Sequence, residues 1–274
     1  MFKQLEVISE EQFKKLESLR TLLSKLRSVS VAYSGGVDST LVATIAYEQL
    51  GDKSIAITGV SPALTTQLLK EARFQAKWIG IKHIEVETSE LDDKSYSDNP
   101  KDRCFACKRE LHKHTTFLAN HLNYKNVIDG VNFDDLDDFR PGIKAAKEAG
   151  VISPLATLKF TKKDIREISK SLGLPWWDKP AQPCLSSRFS YGDKITKTRL
   201  EMIEMSEDYI RNIGFKEVRV RCQGASARIE IPSEQIQNFL QSCKKDKLVN
   251  YFMKLGFKSI SLDLEGLVSG KLNR

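Results

Sequence analysis

Val31-Ala-Tyr-Ser-Gly-Gly-Val-Asp-Ser-Thr-Leu41 is the stretch that decides the fold. Val29 to Tyr33 is rich in strand formers, Ser34 to Gly36 breaks the run, and Asp38 to Leu50 puts Leu41, Val42, Ile45, Ala46 and Leu50 at helical spacing. The order is strand, glycine turn, helix. Such a turn suits an oxyanion: Gly35 and Gly36 let backbone N–H groups come close, and a helix N-terminus adds about half a positive charge. Ser34, Ser39 and Thr40 add hydroxyl donors. The Gly-Lys-Ser/Thr ending of the common γ-phosphate-cleaving loop is missing, and Asp38 points instead to handling of a metal-bound pyrophosphate.

The flanking residues extend the alternation. Glu10 to Leu26 reads as an amphipathic helix with Phe13, Leu16, Leu19, Leu22, Leu23 and Leu26 on its apolar stripe. Lys53 to Val60 is a strand, Ala63 to Ile79 a helix stopped by Gly80, and His83 to Glu87 a strand. A polar loop from Asp98 leads into a helix running to about Leu122, followed by strands at Asn126–Gly130 and Val151–Leu155. Thr161-Lys-Lys-Asp164 has capping-box spacing and opens a helix to Leu172. Strands alternating with helices predict a parallel sheet with right-handed crossovers and ligands at the C-terminal strand ends. Ser34–Thr40 lies at one such end and Gly59-Val-Ser-Pro62 at the next, so Gly59 and the glycine turn are expected to frame one nucleotide. Asp129 to Gly142 is dense in aspartate at a further strand end. It is either a solvated acidic loop or a source of carboxylates for magnesium on ATP.

Pro175 to Gly192 lacks any period and reads as a linker that carries function, with Trp176 and Trp177 expected to pack between domains. Beyond Thr198 the pattern changes to a helix at Leu200–Ile213, strands at Val218–Cys222 and Ala227–Ile231, a helix at Ser233–Lys254 and a strand at Ser259–Leu264. That is a small α+β domain with an antiparallel sheet. The expected domains are residues 1–190 and 191–274.

With 274 residues and 41% hydrophobic composition the chain is long enough for one large or two ordinary globular domains. No apolar run approaches the roughly 20 residues of a membrane span, and the opening Met1-Phe-Lys-Gln-Leu-Glu lacks a secretory pattern, so a cytoplasmic protein is expected. The net charge of +7 favours anionic partners such as nucleotides. It is spread out, with no basic stripe carrying interleaved aromatics, which argues against nucleic acid.

Five cysteines in a reducing compartment point to metal or redox work rather than disulfides. Cys104 and Cys107 form a close pair at an expected helix start, and Cys184 sits in Gln182-Pro-Cys-Leu-Ser-Ser-Arg-Phe189. Three thiolates on a 4Fe-4S cluster leave one iron open to sulfide or substrate. The alternatives are a zinc site completed by His112 or His114, and a thioredoxin-like redox pair. Cys222 and Cys243 read as ordinary packing.

Ser-Gly-Gly-x-Asp-Ser-Thr resembles the PP-loop of the ATP pyrophosphatases, a family that splits ATP to AMP and pyrophosphate while adenylating a substrate. Several separated segments resemble one branch of it, LarE: the PP-loop, Asp129-Gly-Val-Asn132, Asp138-Phe-Arg-Pro-Gly142, Ser153-Pro-Leu155, Cys184 with Ser-Ser-Arg-Phe189, and Val218-Arg-Val-Arg221 followed by Ala227-Arg-Ile-Glu230. The resemblance covers nearly the whole chain. It implies an ATP- and Mg2+-dependent sulfur transferase that adenylates the carboxylates of pyridinium-3,5-biscarboxylic acid mononucleotide. Their conversion to thiocarboxylates serves the nickel-pincer nucleotide of lactate racemase.

By the same resemblance Asp38 and Cys184 are catalytic, and Ser187, Arg188, Glu207, Arg219, Arg221 and Arg228 contact the substrate. Arg219 and Arg221, two apart on a strand, share one face with Arg228 on its neighbour, an arrangement that can grip phosphate. In the best-known form one cysteine surrenders its own sulfur, and Cys184 takes that place. Cys104 and Cys107 depart from that form and match the variant in which three cysteines hold a 4Fe-4S cluster. A homo-oligomer, typically a hexamer, and transient contact with other enzymes of the nickel-pincer pathway are also implied. A tRNA-thiolating PP-loop enzyme, an ammonia-using ligase of the NAD or GMP synthetase type and a non-enzymatic nucleotide sensor are the competing readings.

Overall fold

A computed structural model of the chain describes residues 5–137, 141–268 and 270–271, so Asp138, Phe139 and Arg140 of the quoted motifs lie outside the described residues. In chain order the first elements are α1 Glu10–Lys25, β1 Val29–Ala32, α2 Val37–Leu50, β2 Ser54–Val60, α3 Thr66–Ile79 and β3 Lys82–Glu87. Then come α4 Lys94–Ser97, α5 Arg103–His121, β4 Asn126–Ile128, α6 Pro141–Glu148, α7 Pro154–Thr157 and α8 Lys162–Ser171. The chain closes with α9 Lys197–Asn212, β5 Arg219–Gln223, β6 Ser226–Glu230, α10 Ile236–Ser242, α11 Lys245–Leu255 and β7 Ser259–Leu262. Two compact units form, residues 1–90 with 102–182 and residues 91–101 with 183–274. The expected boundary at 190 thus compares with a division at Gln182, and the segment Leu91–Lys101 joins the second unit.

The first unit is an α/β sheet in the order β3-β2-β1-β4 with every pairing parallel, the PP-loop architecture. All four residues of β1 are buried, as a central parallel strand covered by helices requires. Helix α2 is buried from Val37 through Ala46 apart from Asp38, so it has no polar face for a simple amphipathic pattern to display. Helix α1 packs Leu16, Leu19 and Leu23 into the same core, each fully buried side chain contributing about 1.5–3 kcal/mol. Phe13, expected on that stripe, is 47% exposed, because the buried face runs through residues 16, 19 and 23 and leaves position 13 at its margin. The predicted strand at Val151–Leu155 reduces to one bridge, Ile152 beside Ile128, before Pro154 opens α7. Helices α4 and α6 were not foreseen. Trp176 packs edge-on against Trp78 at 5.2 Å in the first unit's core, which corrects its expected place between domains.

The second unit carries the sheet β5-β6-β7, antiparallel at β5-β6 and parallel at β6-β7. It is therefore mixed rather than antiparallel, because α10 and α11 carry the chain back across the unit before β7. The single helix expected over 233–254 breaks at Cys243–Lys244, both non-helical. Among the described residues no helix is long and apolar enough to cross a membrane.

One contact fixes how β4 meets the glycine turn. A Cβ added at Gly130 would stand 2.6 Å from the backbone nitrogen of Ser39 and 3.0 Å from the carbonyl carbon of Asp38. Main chain cannot move aside as a flexible side chain can. Gly130→Ala is expected to cost about 1–3 kcal/mol, typical of overpacking, and to displace the first turn of α2; thermal melts check the cost.

Candidate functional site

The glycine turn is built by its own serines. Ser34 Oγ lies 3.1 Å from Ser39 Oγ, Gly36 N–H donates to Ser34 Oγ at 3.3 Å, and Ser39 Oγ donates to the Gly36 carbonyl at 3.2 Å. Gly35 has φ +67, a left-handed conformation that side chains resist, and an added Cβ would meet Ala72 at 3.1 Å. Its carbonyl accepts from Lys179, which also pairs with Glu71 at 2.6 Å. Gly36 is the N-cap of α2 without any side-chain cap, so the helix start is open for an anion.

Two expected site residues stand differently. Thr40 is fully buried, its hydroxyl donates to Gln75 Oε1 at 2.9 Å and its N–H bonds the Gly36 carbonyl, so both donors are committed to the core and not to phosphate. Gly59 lies within β2 rather than in the loop beyond it, opposite Val86, and a Cβ there would meet Leu111 Cδ1 at 2.7 Å. Its role is close packing.

Beside the turn lies a cavity of about 430 Å³ whose lining includes Ser34, Asp38, Ser39, Cys104, His112 and Asp129. Asp38 projects from the first turn of α2 and is paired with Lys162. Asp129, at the end of β4, accepts from Val131 N–H, yet burial pushes its carboxyl above the ordinary range against that bond, a bond from Ser153 and the nearby Lys108 charge. Between Asn132 and Asp135 the aspartate stretch is not a loose acidic loop: Asp135 and Asn132 exchange backbone-to-side-chain bonds at 3.1 Å, and Asp134 accepts the Lys162 N–H.

Helix α5 forms a cavity wall through Cys104, Lys108 and His112, one residue per turn on one face. Cys104 is exposed, Cys107 half-buried, and neither is in a disulfide. Lys108 and Lys162 escaped the sequence reading, which held His112 only as a possible fourth zinc ligand. The spacing of four from Cys104 was the available signal for Lys108; Lys162 is tied to Asp38 across 124 residues, and nothing local marks it.

His112 is buried, and neither ring nitrogen has a hydrogen-bond partner among the described residues. Burial first, then the Lys108 charge, pushes its pKa down to about 4 from 6.5. The unfolded chain takes up this proton below its ordinary pKa while the folded chain resists until about pH 4. Stability present above that window is therefore lost as pH falls through it, by about 3 kcal/mol. Urea midpoints at pH 7 and pH 4.5 are expected to separate less in His112→Leu than in the parent chain.

In the second unit Cys184 is exposed and caps the single turn Leu185–Arg188. Arg188 braces that turn, donating to the carbonyls of Pro183 at 2.9 Å and Cys184 at 3.3 Å, while Arg221 donates to the Ser187 carbonyl at 2.6 Å. Tyr96 Oη holds Ser186 Oγ at 2.5 Å. Ser187, half-buried, has its hydroxyl 3.0 Å from Arg188 Nη1.

Two buried carboxylates organise the arginines. Glu207 accepts both Arg188 bonds at 2.8 and 3.1 Å, Arg211 at 2.7 Å and Val220 N–H at 3.0 Å. With 0% exposure it cannot touch a substrate, which corrects its expected role to that of a positioning residue. Arg221 and Arg228 face each other across β5-β6, where like charges repel, and Glu230 reaches both at 3.0 and 3.3 Å. Arg228 and Arg221 also line a cavity of about 180 Å³ with Lys271 and Tyr191. Arg219, opposite Glu230 on the same face, has no side-chain hydrogen bond or ion pair among the described residues. Burial, then Arg188 and Arg221, push its guanidinium below the ordinary value, so an anion there would be welcome.

No family model matches the chain. The uncharacterised protein slr1717 of Synechocystis sp. is 54% identical over 95% of this chain and 97% of its own length. A pyridinium-3,5-bisthiocarboxylic acid mononucleotide synthase of Lactiplantibacillus plantarum is 35% identical over 94% of both chains. One of the chains of a glutamine-hydrolysing GMP synthase of Saccharolobus islandicus is 28% identical over 66% of this chain and 54% of its own.

Proposed function

The chain belongs to the LarE family of sulfur-transferring PP-loop enzymes, and from that premise we propose that it converts the carboxylates of pyridinium-3,5-biscarboxylic acid mononucleotide to thiocarboxylates at the expense of ATP. The observation that carries this reading is the 35% identity with the synthase across 94% of both chains, which spans the PP-loop unit and the arginine-bearing unit alike. The distant GMP synthase matches only 66% of the chain, and an ammonia-using ligase leaves Cys104, Cys107 and Cys184 without work.

A carboxylate is a poor electrophile because its charge repels nucleophiles and its oxygen leaves badly. Attack of a substrate carboxylate oxygen on the α-phosphorus of ATP forms an acyl-adenylate and releases pyrophosphate. A sulfur nucleophile then displaces AMP from the acyl carbon. The backbone N–H groups of the first turn of α2, which have no partner within the helix, bind the phosphates, and the open N-terminus of α2 favours their charge. Arg219 with Arg228 binds the mononucleotide phosphate. Arg188, Glu207 and Arg221 position the turn that presents Cys184.

Among the described residues no three His, Cys, Asp or Glu side chains form a ready-made metal site. The donor chemistry fits a 4Fe-4S cluster nonetheless: Cys104, Cys107 and Cys184 are thiols outside any disulfide, the first two are one helical turn apart, and Cys104 lines the cavity shared with Asp38. Those three would hold the cluster, which when bound supplies inorganic sulfide as the sulfur source. Asp38 would hold Mg2+, which when bound neutralises phosphate charge. Sulfur given up by Cys184 itself is the alternative. A cytoplasmic homo-oligomer, hexameric through the second unit and in transient contact with other enzymes of the nickel-pincer pathway, completes the reading.

Pyrophosphate release from ATP tests the activity: it is expected to depend on the pyridinium biscarboxylate nucleotide, and release stimulated instead by ammonia or by tRNA would sink the assignment. Iron and labile sulfide after anaerobic reconstitution test the sulfur source. About four irons per chain support the cluster, whereas an iron-free enzyme whose Cys184 becomes dehydroalanine during turnover supports the sacrificial route.

A further inference from the structure

Lys162 Nζ lies 2.7 Å from Asp38 Oδ1 and 2.6 Å from Oδ2, so one ammonium covers both carboxylate oxygens. The backbone of the lysine is fixed independently. It is the first residue of α8, its N–H donates to the Asp134 carboxylate at 2.7 Å, and the preceding Thr161 is locked by the Asp164 capping box. Both partner side chains are partly exposed, at 34% and 23%. A pair this accessible contributes only about 0–1 kcal/mol to stability. Its use therefore lies elsewhere.

Asp38 sits in the first turn of α2, whose N-terminus already favours a carboxylate, and it lines the cavity beside Ser34 and Ser39. A triphosphate drawn to the glycine turn meets the Asp38 charge unless a cation lies between them. A divalent ion ligated by these oxygens at about 2.1 Å would lie close to an ammonium held at 2.6–2.7 Å from both of them, and the two cations repel. Repulsion favours the ammonium giving way to the ion of higher charge. A lysine ammonium is a compact charge on a flexible stem and a good phosphate partner, and the Asp134 anchor keeps the root of that stem at the turn.

We propose that Lys162 is an exchangeable counter-ion: it neutralises Asp38 in the nucleotide-free chain, yields that carboxylate to the divalent ion accompanying the triphosphate, and moves onto the oxygens of the leaving pyrophosphate. This rests on the reading of the glycine turn as the ATP site. Only contacts are exchanged, and no bond or proton is transferred.

The test compares Lys162→Met and Lys162→Arg with the parent chain, using Mn2+ alone, followed by the resonance of the free ion, and inorganic pyrophosphate with Mg2+, followed by calorimetry. In Lys162→Met, Mn2+ is expected to bind about tenfold tighter and pyrophosphate about tenfold weaker, the loss of one charge-assisted contact. A merely structural lysine would shift both affinities the same way or neither. Unchanged Mn2+ affinity or unchanged pyrophosphate affinity in Lys162→Met overturns the proposal, as does tighter Mn2+ binding by Lys162→Arg, which keeps the charge. Absence of pyrophosphate binding by the parent chain would instead overturn the ATP reading itself.

Discussion

Replacing Cys184 by alanine is expected to leave pyrophosphate release from ATP near the parent rate while sulfur transfer falls by about 10³-fold or more, the scale seen when a nucleophile, or here the thiol that holds or supplies the sulfur, is removed. The thiol is exposed and in no disulfide, and the turn it caps is held by other groups: Arg188 on the Cys184 and Pro183 carbonyls, Arg221 on the Ser187 carbonyl, Tyr96 on Ser186. Those contacts survive loss of the sulfur. The glycine turn belongs to the other compact unit and is built from its own serines and glycines. Adenylation and sulfur delivery should therefore separate cleanly. Parallel assays of pyrophosphate and thiocarboxylate in one reaction check this, and normal thiolation by Cys184→Ala would remove the residue from the mechanism.

Asp38→Asn should have the complementary effect, lowering pyrophosphate release by about 10²–10³-fold, the range found when a single preorganised charge-stabilising group is lost. The substitution keeps shape and changes charge. Asn is also accepted in the first turn of a helix, and the ion pair lost with Lys162 is partly exposed, so the melting temperature should move little. A collapse of stability alongside activity would mean that Asp38 holds the fold together rather than serving the chemistry. Because adenylation precedes sulfur transfer, thiocarboxylate formation should fall in proportion to pyrophosphate.

The order strand, glycine turn, helix was legible because local chemistry dictates it: β-branched residues before Ser34, two glycines, then helical spacing. The capping box at Thr161–Asp164 was legible for the same reason and is present with both bonds. What escaped depends on long-range placement. Thr40 belongs to a sequence pattern of phosphate binders, but α2 is so deeply buried that its hydroxyl turns inward to Gln75. Glu207 looks like a polar substrate ligand until β5 and the Cys184 turn bring Val220, Arg188 and Arg211 onto it. His112 was named only as a possible zinc ligand, and its burial in the wall of the cavity, with neither ring nitrogen partnered among the described residues, depends on how α5 packs. The mixed sheet of the second unit was misread because strand spacing carries no information on direction once helices of unknown length intervene.

The most direct test of the account is the product of one anaerobic reaction containing the reconstituted enzyme, Mg2+, ATP and pyridinium-3,5-biscarboxylic acid mononucleotide, with its mass and the accompanying pyrophosphate measured together. The account predicts one pyrophosphate for each carboxylate oxygen exchanged for sulfur, with AMP as the other nucleotide product. Pyrophosphate without any sulfur in the product, or an amide in place of the thiocarboxylate, would contradict it.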